Sequence, residues 1–171
     1  MGGMVDSFKF LPRLIAAFYQ MTEREPELPI PWTKVERPLT DLTFGLVTSG
    51  GLYLRDAQPP FDVEREKREP TWGDPTYRAI PASAAQADIA VSHLHLNPTF
   101  AETDFNIVLP ITRFQELAAQ GVIGGLADDA YSFMGFQGFP PDTSAWQTRY
   151  GPEIAAKFQA AGVDCVLLTP T

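Results

Sequence analysis

At 171 residues the chain can build one domain with its own core, but not two full ones. Hydrophobic residues make up 44% and charged residues 20%, a globular balance that argues against global disorder. A formal net charge of −8 disfavours nucleic-acid binding through a phosphate-neutralising face, and the single cysteine, Cys165, excludes an intrachain disulfide or a zinc site built on thiolates.

In chain order, Leu11 to Met21 places Leu11, Leu14, Ile15, Phe18 and Tyr19 at the spacing of one helical face, with Ser7 as a candidate N-cap. Four prolines follow within Arg24 to Leu39, which predicts an extended connector. Residues 1–41 are therefore read as an N-terminal helix and Pro-rich connector, and 42–171 as an α/β domain. Leu42 to Thr48 is a β-rich run ending in the turn Ser49-Gly50-Gly51. Residues 52–85 are rich in turn formers and charge and read as ordered but irregular. Within them the mixed-sign run Asp62 to Glu69 reads as a solvated face.

Ala87 to Ser92 is a second buried-strand candidate that runs into His93-Leu94-His95, and Ile107 to Leu109 a short strand before Pro110. Thr112 is expected to cap a helix that stops at Gly121, and Val122 to Ala127 forms a further strand or turn. Pro152 to Ala161 has proline at a helix start and Gly162 as its stop, before the apolar strand Val163 to Leu168. Cys165 is expected in mid-strand as a buried, inert thiol. Helices alternating with strands predict a mostly parallel sheet with flanking helices, Rossmann-like in class. With no span of about 18 apolar residues and no basic segment leading into an apolar run, a cytoplasmic chain without a membrane partner is expected.

In open α/β sheets ligands bind beyond the carboxyl ends of the strands. Three such ends carry polar groups: Thr48-Ser49-Gly50-Gly51, Ser92-His93-Leu94-His95 and Thr169-Pro170-Thr171. The first offers hydroxyls and turning amides that suit an anion, or is simply a tight turn. His93 and His95, the only histidines, would point to one side of a strand, near Glu102, Asp104 and Asn106. They read as metal ligands with Asp104, as acid/base or orienting groups of a pocket, or as structural residues. Tyr131 to Phe136 is an aromatic cluster more suited to packing than to a cofactor. The terminal strand stops at its tip, where a parallel strand normally feeds a covering element, so the domain is expected to be incomplete.

From about Phe44 onward the chain resembles the selenoprotein B family of glycine/sarcosine/betaine and D-proline reductases, nearest its D-proline branch. The resemblance rests on Thr48-Ser49-Gly50-Gly51-Leu52, Ser92-His93-Leu94-His95, Asp104-Phe105-Asn106 with Leu109-Pro110, Gly121-Val122-Ile123-Gly124, Tyr131 to Gly135, and Val163 to Thr171 in that order. It implies a selenium-dependent reductase subunit that cleaves a C–N bond of an amino acid or amine with dithiol electrons. It implies a selenocysteine immediately after Thr171, beyond this chain, so that this portion alone is expected to be inactive. Partner reductase subunits, one of them able to carry a pyruvoyl group, and a dithiol or thioredoxin-like donor are implied as well. His93 and His95 become candidate acid/base groups, and Thr48, Ser49, Gly50, Gly51, Asp104, Asn106, Thr169 and Thr171 candidate substrate-binding residues, with no metal. A small metal-dependent hydrolase or lyase, or a non-catalytic anion-binding domain, remain the other readings.

Overall fold

A computed structural model describes residues 33–171, with Arg13 and Ala17 besides. The helix expected over Leu11 to Met21, apart from those two positions, its Ser7 cap and most of the Pro-rich connector lie outside the described residues. The chain divides into two compact units, Met1–Val35 and Glu36–Thr171, and every element below belongs to the second.

Strand β1 (Thr43–Thr48) is the centre of the main sheet. One of its edges carries β7 (Cys165–Thr169) in parallel over Phe44 to Thr48. The other is shared by two short parallel partners, β5 (Gly125–Leu126) against Thr43 and Phe44 and β6 (Asp129–Phe133) against Val47 and Thr48. Strand β3 (Tyr77–Pro81) closes the far side, antiparallel to β6. The sheet is thus mixed but mostly parallel, as the alternation of elements predicts. A separate antiparallel pair joins β2 (Leu52–Leu54) to β4 (Ile89–Val91).

Alternation along β1 and β6 divides the core. Leu46 and Ala130 pack with Leu52, Ile89, Phe105 and Leu109 in one cluster. Tyr131 packs on the other with Ile154 and Phe158 of helix α4 (Gly151–Ala160). Each fully buried large side chain contributes about 1.5–3 kcal/mol of transfer free energy, so each cluster anchors its layer. Gly45 shows how closely α4 is seated, since a Cβ there would meet the Phe158 ring at 2.6 Å.

Several local expectations change. Residues 52–85 are not irregular: they hold β2, helix α1 (Val63–Arg68) and β3. Ile107 to Leu109 is no strand, because Asp104 accepts from the Asn106 amide and caps a 3₁₀ turn, Phe105–Ile107. Helix α2 (Pro98–Thr103) precedes it. Helix α3 (Ile111–Ala119) begins one residue before Thr112, with Pro110 at its cap position. Thr112 need not cap because its own amide donates to Asn106 Oδ1 at 2.8 Å, which satisfies one of the orphan N–H groups of the first turn. The stops hold: Gly121 and Gly162 both have φ of 69°, the left-handed conformation a helix terminus favours. The last strand is not buried. Val166 is 45% and Leu168 66% exposed, and among the described residues β7 pairs only with β1. Cys165 begins this strand and is half-buried rather than enclosed. Among the described residues no helix is long and apolar enough to cross a membrane.

Candidate functional site

Parallel pairing of β1 with β7 brings two of the polar strand ends side by side. Thr48 Oγ1 donates to the Thr169 carbonyl at 3.1 Å and accepts from the Gly50 amide at the same distance. Thr169 Oγ1 donates to the Val108 carbonyl at 2.6 Å, so the loop before α3 is tied to the same corner. Ser49 Oγ accepts from the Thr171 amide at 2.8 Å and lies 3.3 Å from Thr171 Oγ1. The hydroxyls that suit an anion are thus spent on holding the end of β7 in place. Beside them, Val47, Phe133, Trp146 and Leu168 line an apolar hollow of about 370 Å³ at the carboxyl ends of β1 and β7.

The third polar segment comes from the smaller sheet, through glycine. Gly51 has φ of 67°, which permits its amide to reach the Phe133 carbonyl at 2.8 Å while its own carbonyl accepts from the Ser92 amide at 2.9 Å. A Cβ there would meet the Ser92 carbonyl at 2.4 Å. This close approach carries His93, next along the chain, to the end of the parallel sheet.

The two histidines do not lie on a strand, and they are not alike. They follow β4 in a turn, their rings edge to face with centroids 6.2 Å apart. His93 Nδ1 accepts from the His95 amide at 3.1 Å. Its Nε2 is out of solvent with no hydrogen-bond partner among the described residues. Burial, reinforced by His95, holds the His93 ring below the ordinary imidazole range, which favours the neutral form. Gly135 leaves room opposite: a Cβ built on it would stand 3.1 Å from the Thr171 carbonyl oxygen and 3.3 Å from both His93 Nε2 and the Ser49 carbonyl oxygen. Ser49, His93, Gly135 and Thr171 therefore converge on one point.

His95 is largely exposed. Its ring rests on Phe136 with centroids 4.6 Å apart, and its Nε2 stands 3.1 Å from Glu66 Oε1. Glu66 itself is buried, and neither carboxylate oxygen has an aligned donor among the described residues, so the pair is a close charge contact rather than a directed hydrogen bond. Burial raises the Glu66 carboxyl above its ordinary range; the neighbouring His95 works against that rise, and Asp74 adds to it.

Asp104 and Asn106 are not brought to this point by any hydrogen bond of their own. Asp104 accepts from the Asn106 amide and side chain, which hold its carboxyl below the usual range, and Asn106 serves α3. Among the described residues no three His, Cys, Asp or Glu side chains stand close enough to hold a metal ion, so the set His93, His95 and Asp104 is not assembled. Two contributors were hidden in the sequence. Glu66 sits within a charged run that reads as solvated, and Gly135 within an aromatic cluster that reads as packing. The one signal for Glu66 is its place three residues after Val63 on the face of α1.

Comparison with known proteins points to one family. The family model described as glycine/sarcosine/betaine reductase selenoprotein B matches residues 18–171. D-proline reductase subunit gamma of Acetoanaerobium sticklandii is 36% identical over 145 residues, covering 84% of this chain and 55% of that protein. Glycine reductase complex component B subunit gamma of Carboxydothermus hydrogenoformans is 30% identical over 143 residues, covering 83% and 31%. Betaine reductase complex component B subunit beta of Peptoclostridium acidaminophilum is 28% identical over 156 residues, covering 87% and 34%. The chain spans about half the length of the first of these relatives and about a third of the other two. No solved structure matches it.

Proposed function

Since the chain belongs to the glycine/sarcosine/betaine reductase selenoprotein B family, we propose that it is the N-terminal portion of a reductase subunit that cleaves a C–N bond of a small amino acid or amine. Overall such a cleavage replaces one C–N bond by a C–H and an N–H bond, consuming two electrons and two protons while a dithiol becomes a disulfide. A thioredoxin-like partner supplies that dithiol, and a partner subunit carrying a pyruvoyl group is the proposed activator of the amine. A selenocysteine following Thr171 in the longer subunit would supply a nucleophile that is ionised at neutral pH.

The carrying observation is the convergence of Ser49, His93, Gly135 and Thr171. The donor set fits such a group: a buried Nε2 without a partner faces a point where the chain leaving Thr171 would pass, and a glycine opposite leaves it space. This chain's residues then have defined tasks. Ser49 and Thr48 anchor the end of β7 through Thr171 and Thr169. Thr169 fixes the loop before α3, and Gly51 delivers His93. The apolar hollow beside Phe133 and Trp146 excludes water and accepts the hydrocarbon part of a substrate. In the longer subunit, further chain would cover the open face of β7, where Val166 and Leu168 are exposed.

The test uses the full-length subunit assembled with its partner subunits and dithiothreitol as dithiol. D-proline, glycine, sarcosine and betaine are offered separately, and the deaminated or ring-opened product is measured by mass spectrometry. Dithiol-dependent turnover of one of them is expected, together with its loss when the residue after Thr171 is replaced by alanine. No turnover of any of the four, or turnover indifferent to that replacement, would reject the reading.

A further inference from the structure

The histidine that faces the point of convergence is held in one tautomer. A neutral imidazole has one N–H and one bare nitrogen, and which is which is set by the bond made at the other end of the ring. His93 Nδ1 accepts from the His95 amide, so the ring hydrogen belongs on Nε2. His95 is in turn steadied by Phe136 on one side and by the buried Glu66 of α1 on the other. Nε2–H therefore points, out of solvent and unmatched among the described residues, at the space beside Gly135 where the Thr171 carbonyl lies. An unmet donor in such a place is unfavourable, and an acceptor arriving from the adjacent chain would satisfy it.

We propose that His93 is the hydrogen-bond donor to the chalcogen of the residue that follows Thr171, holding it as an anion and aiming it toward the apolar hollow, rather than a base or a metal ligand. The proposal rests on the reading above that a selenocysteine or cysteine stands there. The titratable groups nearest His93 are His95 and, behind it, Glu66 with Asp74. Ser49 and Thr171 face the ring from the ends of β1 and β7 and are uncharged in the continuous chain. A donor to the thiolate or selenolate form lowers its pKa, because it stabilises only the charged state.

Two measurements separate this idea from its premise. In the full-length subunit with cysteine at the nucleophile position, where Thr171 carries no carboxylate, ring nitrogen NMR of His93 across neutral pH is expected to show the neutral Nε2–H form. The Nδ1–H form, or an imidazolium at pH 7, would overturn the proposal. In the full-length subunit with cysteine at the nucleophile position, the rate of alkylation by iodoacetamide against pH reads the thiolate pKa. H93A is expected to raise that pKa by about one unit, a tenfold fall in thiolate at a pH below it, and H93Q, which keeps an N–H donor, to recover most of the loss. An unchanged profile in H93A overturns the proposal, and thermal melts check that each variant is folded; should H93A not fold, H93F, which keeps a ring but no donor, takes its place. If the longer subunit carries neither cysteine nor selenocysteine after Thr171, the functional reading and the proposal fail together, whatever the tautomer shows.

Discussion

Glu66 is a carboxyl placed where water does not reach, in a run of eight residues of which seven are charged. Its neighbours behave as the composition implies: Lys67 pairs with Glu64 and Arg65 with Glu69, contacts between exposed groups that contribute little. Glu66 differs because α1 turns that one position inward, beneath His95. Its carboxyl is raised above the ordinary value of 4.5 by burial, against the pull of His95. A group whose pKa is raised on folding favours the folded state below its unfolded value and loses that contribution as pH climbs through the folded value. At pH 7 the native protein thus carries the cost of an ionised buried carboxylate. E66Q, similar in shape but uncharged, is expected to raise the melting temperature at pH 7 and to match the parent near pH 4. Calorimetry at the two pH values checks this, and a variant less stable at pH 7 than the parent would mean that the His95 contact outweighs the burial.

At the scale of elements, what was legible is what depends on neighbours in sequence. The helix stops at Gly121 and Gly162, the proline near the start of α4 and the polar tip of β1 follow from local chemistry, and the structure has them. What was not legible depends on contacts from elsewhere. Thr112 reads as a cap until Asn106, six residues earlier, turns out to take its amide. The segment 52–85 reads as loop because β2 has three residues and β3 five, too short to show a period among so many turn formers. Nor does anything in Ser92-His93-Leu94-His95 announce that β4 pairs with β2 outside the parallel sheet. That placement hangs on Gly51. G51A forces a side chain into a positive-φ position 2.4 Å from the Ser92 carbonyl, so it should cost more than about 1 kcal/mol and loosen the link that seats His93. The expected outcome is a lower denaturation midpoint together with a His93 ring whose Nε2 becomes accessible, read by its exchange with solvent in NMR. Equal stability and unchanged exchange would show that the turn tolerates the side chain and that His93 is seated by other contacts.

For the second unit as a whole, the sheet is covered on two faces but not along one edge. Among the described residues strand β7 bonds to β1 alone, with a line of amide and carbonyl groups on its other side beside the exposed side chains of Val166, Leu167 and Leu168. Such an edge is a template for pairing with another chain unless it is blunted by charge, proline or a covering element. Within β7 itself there is neither a charged residue nor a proline. The 171-residue chain on its own should therefore self-associate with rising concentration, in sedimentation velocity, through this edge. V166K places a charge on the edge while leaving the residues of the hollow untouched. It also moves the formal net charge of −8 toward neutrality, which by electrostatic repulsion alone would favour association. The two influences have opposite signs, so the direction of the change identifies its cause. A shift toward monomer in V166K assigns the contact to β7; association that is unchanged or stronger would place it on a different surface.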